Sequence, residues 1–260
     1  FIFCMRSRKA SFFIRTNKYL CMIELQGNIE HTICYEIMPN RNKQQQIIYL
    51  SKSKSAWISI SWISDELINF TKNNYQQLFD LHPTERGKVI LYDKEVETHR
   101  WQTSYLQTPL YSDVHLKRSY MYAGKSFDNE VTLPDLFHPF LDFINHKETS
   151  DKYNQVIVNW YADGNDFIAA HSDCQIDMKP NAEISIITLC EKEEHFRELR
   201  FTPKKINGTE NDAIYNYVKI ATIHGSIITM HGDTQSKFRH KIPKALNIDT
   251  SRISITFRKF

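Results

Sequence analysis

From Gln155 onward, short runs of isoleucine, valine, threonine and aromatic residues recur with polar turns between them. Side chains branched at Cβ or carrying rings suit a pleated surface better than a helix. The stretch therefore predicts strands at 155–161, 184–189, 199–202, 217–224, 226–230 and 252–260. Only seven glycines occur in 260 residues, which argues against long flexible connections. Upstream the pattern is helical in two places. Ser64 suits an N-cap for a helix over 65–79, with Leu67, Phe70, Tyr75, Leu78 and Phe79 as an apolar face. A second helix is expected over 134–146, with Pro134 in the first turn and Pro139 as a kink. Helices first and strands afterwards predict an α+β domain whose core is a β-sandwich or jelly roll.

The length, with 41% hydrophobic and 13% aromatic residues, suffices for one large core, so a single domain is expected over 46–260. Residues 1–45 are expected to be an N-terminal extension, disordered or not native, the chain being either a fragment or an over-extended reading frame with Met5 or Met22 as the start. The segment 40–55 reads as a solvated linker holding at most a short strand over 46–50. No apolar run approaches the roughly 18 residues a bilayer span needs, and Arg6, Arg8, Lys9, Arg15 and Lys18 interrupt the opening 25, so no membrane anchor is expected. Five cysteines without a C-x-x-C pair favour neither a disulfide scaffold nor a zinc ribbon and fit an intracellular, reducing location, nuclear or cytoplasmic. A net charge of +3 leans only slightly towards polyanionic partners. The phosphate loop, the dinucleotide fingerprint, the nucleophile elbow and the H-E-x-x-H helix are all absent from the sequence.

His171-Ser172-Asp173 puts an imidazole and a carboxylate two residues apart, on one face if the backbone is extended. Two histidines and one carboxylate on one face of an octahedron are what non-haem iron(II) oxygenases use. His240, in the run Lys237 to Pro243, is the distal candidate. His231-Gly232-Asp233 is a second H-x-D, and a zinc site drawing on Cys174 or Cys190 is a further alternative. In the last strand, Arg252, Ser254, Thr256 and Arg258 share one face and Ile253, Ile255 and Phe257 the other. Either it is an edge strand with a solvated polar face, or its guanidinium forks grip a carboxylate inside a barrel. Asn159 and Tyr161 share a face in the same way.

In order, Asn159-x-Tyr161, Gly164, His171-x-Asp173, Gly225-Ser226 with Met230, His240 and Arg252-x-Ser254-x-Thr256-Phe257-Arg258 resemble the AlkB family of 2-oxoglutarate oxygenases. The resemblance covers roughly residues 62–260. It implies a double-stranded β-helix (jelly roll) core with N-terminal helices packed on the sheet. It further implies iron(II) on His171, Asp173 and His240, and 2-oxoglutarate held by Asn159, Tyr161, Arg252 and Ser254. Arg258 would touch the cosubstrate or orient the iron-ligating carboxylate. Two departures stand out: Leu189-Cys190 where the family often has glycine, and Ser254 where some members have asparagine.

The implied reaction consumes O2 and 2-oxoglutarate, removes N-methyl groups from nucleic acid, and releases formaldehyde, succinate and CO2. A methylated base must be single-stranded or flipped from a duplex to reach the metal, which calls for stacking surfaces. Arg100, Gln102, Tyr105, Tyr120 and Tyr122 lie in a stretch resembling the nucleotide-recognition region, and Gln175 resembles the position facing the base edge. Arg100, Lys117, Arg118, Lys125, Arg197, Arg200, Lys204 and Lys205 are candidates for phosphate contact. A monomer is expected. The competing readings are the same chemistry on protein or lipid, and a non-catalytic nucleic-acid-binding module.

Overall fold

The computed structural model describes residues 11–16, 19–24, 32–91, 93–106, 120–122, 125–127, 132–146, 152–175, 178–179, 182–205 and 212–259. The first strands are β1 (Ser11–Thr16), β2 (Tyr19–Glu24), β3 (Thr32–Ile37), β4 (Gln46–Tyr49) and β5 (Ala56–Trp62). Helix α1 (Asp65–Asp80) follows, then β6 (Lys88–Leu91), β7 (Lys94–Glu97), β8 (Trp101–Leu106), β9 (Tyr120–Tyr122), β10 (Lys125–Phe127) and helix α2 (His138–His146). The remaining strands are β11 (Gln155–Tyr161), β12 (Ile168–His171), β13 (Ile184–Cys190), β14 (Arg197–Pro203), β15 (Tyr217–Thr222), β16 (Ser226–Gly232), β17 (Phe238–Ile242) and β18 (Arg252–Arg258). A one-turn helix, α3 (Thr234–Lys237), separates β16 from β17.

Two seven-stranded sheets result. Sheet I runs β4-β5-β16-β13-β18-β11-β8 and sheet II runs β1-β2-β3-β15-β14-β17-β12. Every neighbouring pair is antiparallel except β3 with β15. The strands from β11 to β18 are dealt between the sheets, with β11, β13, β16 and β18 in sheet I and β12, β14, β15 and β17 in sheet II. That sheet-rich, helix-poor distribution is consistent with a jelly-roll core.

Alternation along the strands builds two apolar layers. Ile58, Ile60, Ile184, Ile186, Ile228 and Met230 of sheet I share one buried cluster with Leu199, Phe201, Val218, Ile220, Phe238 and Ile242 of sheet II. On the opposite face of sheet I, Val156, Val158, Trp160, Ile187, Ile253, Ile255 and Phe257 share a second cluster with Leu67, Ile68 and Leu78 of α1 and Phe140, Leu141 and Ile144 of α2. The Trp160 indole donates to the Leu78 carbonyl at 2.9 Å, tying the end of α1 to β11. Ser64 caps α1 as expected, its hydroxyl accepting the Leu67 amide at 3.4 Å. Pro139 does not kink a long helix. A 3-10 turn at Asp135–Phe137 leads into α2, which begins at His138, so the proline stands in the first turn, where its missing N–H has no intrahelical acceptor to lose.

Strand pairing extends N-terminally of residue 46. Tyr217 to Ile220 pair in parallel with Cys34 to Ile37, and Cys34 and Ile37 are buried. The polar segment 40–55 forms turns around β4 rather than a linker. Its Asn and Ser side chains satisfy turn amides: Asn42 N–H donates to Asn40 Oδ1 at 2.9 Å and Ala56 N–H to Ser51 Oγ at 3.0 Å. Among the described residues no helix is long and apolar enough to cross a membrane.

Gly164, in the connection from β11 to β12, is locked against the loop before β18. Its amide donates to Ile248 O and its carbonyl accepts Ala245 N–H, both at 2.8 Å, and a methyl group there would run into the Ala245 carbonyl. Gly164→Ala should therefore cost about 1–3 kcal/mol of unfolding free energy, the usual penalty of overpacking. Denaturant unfolding measures it, and a midpoint equal to wild type would refute the contact.

Candidate metal centre

Strand β12 is the edge of sheet II and its last residue, His171, is the cross-strand partner of His240 on β17. Their ring centroids are 4.3 Å apart. Asp173 lies two residues beyond the strand end, so it converges through the loop rather than through strand alternation. Its carboxylate oxygen Oδ2 stands 3.6 Å from His240 Nε2, and ligand atoms of the three residues all lie within 4.8 Å of one another. Among the described residues this is the cluster of histidine, cysteine and acidic groups that could hold a metal ion.

Second contacts orient His171 and Asp173. His171 Nδ1 lies 2.9 Å from the Ala169 carbonyl, an acceptor that fixes the proton on Nδ1 and leaves Nε2 as the ligand nitrogen. Arg258, 1% exposed, donates from Nη2 to Asp173 Oδ1. Ser172 Oγ donates to the Phe238 carbonyl at 2.8 Å, and Gln235 Oε1 accepts the Asp173 amide at 2.9 Å.

The electrostatics suit a cation. Burial, then the neighbouring His240, pushes His171 down to about 3, and burial also lowers His240, so both imidazoles are neutral near pH 7. Burial alone would raise the Asp173 carboxyl, but Arg258, His240 and His171 together outweigh it and hold the group below its ordinary value. Two neutral nitrogens and one carboxylate on facing segments form the donor set that non-haem iron(II) accepts.

The three residues line an open cavity of about 550 Å³ between the sheets, shared with Asn159, Tyr161, Arg252, Ser254 and Arg258. Strand β18 is central, between β13 and β11, and every one of its residues is buried. Its polar face is turned into the cavity, not to solvent, so the edge-strand reading fails. Register places Tyr161 opposite Arg252 and Asn159 opposite Ser254. Arg252 is 3% exposed, lies over the Tyr161 ring at 5.1 Å, and donates from Nη2 to Thr188 Oγ1 at 3.2 Å. Its Nε and Nη1 are buried without a partner. Orphaned guanidinium donors beside a cavity fit the carboxylate of a small diacid.

Other expected residues are placed differently. Gln102 lines the cavity. Arg100 is 2% exposed and donates to Asn159 Oδ1 at 2.7 Å and Gln102 Oε1 at 2.6 Å, so it buttresses the cavity wall and is not open to phosphate. Tyr105 is 5% exposed within the cluster under the helices; β8 points it away from the face that carries Gln102, so it offers no stacking surface. Gln175 is exposed and outside the cavity lining. Tyr120 and Tyr122 lie on β9, but their side chains, like that of Lys125, fall outside the described residues, as do Lys117 and Arg118 altogether.

Arg197 is buried and its guanidinium donates to the Asp163, Asp166 and Pro243 carbonyls, a structural clamp. Arg200 is paired with Glu198 at 2.7 Å. Lys204 Nζ donates to the Gln235 carbonyl at 2.7 Å, and Lys205 is exposed. The second H-x-D is engaged elsewhere: His231 stacks on Trp57 and bridges Ser59 Oγ at 2.8 Å and Glu183 Oε1 at 2.7 Å. The Cys190 thiol is buried and pushed up to about 11, hence protonated. Sequence reasoning missed Thr188 and Gln235. Thr188 hides in an apolar run and Gln235 in a one-turn helix, and neither carries a charge or motif to mark it.

The sequence profile of the 2OG-Fe(II) oxygenase superfamily matches residues 61–258. The mouse (Mus musculus) protein named DNA oxidative demethylase ALKBH2 is 25% identical over 165 residues, covering 62% of this chain and 64% of that protein. Its human (Homo sapiens) counterpart is 25% identical over 162 residues, covering 62% and 58%. The mouse alpha-ketoglutarate-dependent dioxygenase alkB homolog 3 is 29% identical over 116 residues, covering 43% and 38%. The chain thus spans less than two thirds of the length of these curated relatives. The matched region contains both strands that pair the two histidines and the strand that carries the buried arginines, and the chain belongs to the 2OG-Fe(II) oxygenase superfamily as an AlkB-like member.

Proposed function

We propose that the chain oxidatively demethylates N-alkylated bases in nucleic acid, single-stranded or flipped from a duplex. The observation that carries this reading is one cavity lined by His171, Asp173 and His240 together with Arg252, whose guanidinium has two buried donors to spare. The nucleic-acid substrate is supported by the mouse and human relatives, which are named DNA oxidative demethylases. The architecture we propose is a double-stranded β-helix with α1 and α2 covering sheet I, acting as an intracellular monomer. The shared apolar cluster supports the helix placement, and the free thiols of Cys34, Cys174 and Cys190 support the intracellular location.

With iron(II), 2-oxoglutarate and O2 bound, the site would supply oxidation of a substrate C–H bond coupled to cosubstrate decarboxylation. The remaining tasks fall to this chain. Neutral His171 and His240 present lone pairs without first losing a proton. Arg258 keeps Asp173 ionised and fixes which oxygen faces the histidines. Arg252 anchors a carboxylate by a two-pronged hydrogen bond, and Thr188 and the Tyr161 ring hold that fork in place. Arg100 occupies Gln102 Oε1, leaving the Gln102 amide hydrogens as donors at the wall, suited to an acceptor on a base edge. Ile157, Ile168, Ile186 and Ile242 give the cavity its apolar wall.

Two predictions follow from this site. Arg252→Lys keeps the charge and loses the fork, so affinity for 2-oxoglutarate, measured by anaerobic titration of the iron(II) protein, should fall roughly 10- to 100-fold, as for one or two charge-assisted hydrogen bonds. Unchanged affinity would place the cosubstrate elsewhere. Offered methylated single-stranded DNA, duplex DNA, RNA and peptide in parallel, the protein should release formaldehyde from a nucleic acid and form succinate in step. Formaldehyde from peptide alone would sink the substrate assignment and leave the iron chemistry standing.

A further inference from the structure

Asp173 stands beyond the last residue of an edge strand, so no ladder hydrogen bond fixes its backbone. Its amide instead donates to the side chain of Gln235, 62 positions away, at 2.9 Å. Gln235 is 5% exposed and belongs to α3, the single turn joining β16 to β17 and hence to His240. Because only the oxygen of the Gln235 side-chain amide can accept the Asp173 N–H, that contact sets which way the amide is turned, and the Gln235 nitrogen then donates to Met230 Sδ at 3.1 Å. The Gln235 main-chain carbonyl is held in turn by Lys204 Nζ at 2.7 Å. Next to this clip, Ser172 Oγ binds the Phe238 carbonyl at 2.8 Å. The segment carrying His171 and Asp173 is thereby stitched to the segment carrying His240 by two side chains that touch no ligand atom themselves.

From this geometry we infer that Gln235 is the positioning residue of the metal centre: by holding the Asp173 amide it sets where the carboxylate stands relative to His240, and so the affinity of the site for a divalent ion. The inference rests on the metal reading of His171, Asp173 and His240. Loss of the contact leaves the Asp173 amide without its acceptor and frees the loop end. Arg258 still binds one carboxylate oxygen, so the group stays charged but is no longer fixed at its backbone. Thr234, the neighbouring residue of α3, supports the same turn by a different route, its hydroxyl binding the His231 carbonyl at 2.6 Å and the Trp57 carbonyl at 3.2 Å. It does not reach Asp173, which makes it the control for a merely structural role.

The test is an anaerobic titration with Co(II), read by its ligand-field absorption, alongside thermal unfolding of the metal-free proteins. Gln235→Met keeps the volume and removes the strong acceptor. It should bind Co(II) about 10- to 100-fold more weakly, with altered absorption bands, the usual cost of losing an outer contact to a ligand. Gln235→Glu retains an oxygen acceptor and should bind close to wild type. Thr234→Val should lower the unfolding midpoint and leave the affinity and the bands unchanged. If Gln235→Met does not fold, Gln235→Asn, one methylene too short to reach, carries the same expectation. Wild-type affinity in Gln235→Met, a loss in Gln235→Glu equal to that in Gln235→Met, or a parallel loss in Thr234→Val would each overturn the inference. Failure of the wild type itself to bind Co(II) would instead sink the metal reading beneath it.

Discussion

The pairing of β12 with β17 is the constraint on which the rest of the site depends. A register in which His171 faces His240 brings two imidazoles within 4.3 Å, ring to ring, at the edge of sheet II. A slip of one residue would turn one of the histidines to the outer face and replace it with a neighbour of opposite orientation. The pairing is short, so its register is held by what flanks it: apolar Ile168 opposite Ile242 at one end, and the Ser172 and Gln235 hydrogen bonds at the other. Asp173 is then left one direction to point, towards Arg258 and the histidines.

The second requirement is a sheet buried on both faces. Sheet I carries helices on one side and the cavity on the other, so β18 must supply apolar Ile253, Ile255 and Phe257 outward and polar Arg252, Ser254, Thr256 and Arg258 inward. Buried guanidinium groups are costly unless paired. Arg258 meets that demand with Asp173, while Arg252 meets it only in part, through Thr188 and Tyr161. The incomplete pairing of Arg252 leaves two buried donors at the cavity wall, which under the proposed function a diacid would take.

Much of this was legible from sequence because the chemistry leaves a periodic trace. Arg252 to Arg258 alternates cleanly, His171 and Asp173 sit close together, and Ser64 announces α1. Strands β12 and β17 leave little trace in the sequence, since Ile-Ala-Ala-His is only four residues long with two alanines exposed, and Phe-Arg-His-Lys-Ile carries three basic or imidazole side chains in five residues. The split between Gln102 at the cavity and Tyr105 in the apolar cluster is hidden for a related reason. Tyr105 and Gln102 lie three residues apart and therefore on opposite faces, which spacing shows but which side is wet does not. Segment 40–55 looks like a linker because turn residues and linker residues have the same composition, and the pairing of β4 with β5 and the side-chain contacts of its turns distinguish them.

The central claim, that two imidazoles and one carboxylate from β12, its following loop and β17 share one ferrous ion, is tested most directly by X-ray absorption of the iron(II)-loaded protein under anaerobic conditions. The account predicts scattering from two imidazoles in the wild type and from one in His240→Ala. A wild-type spectrum without imidazole scattering, or one that His240→Ala leaves unaltered, would contradict it.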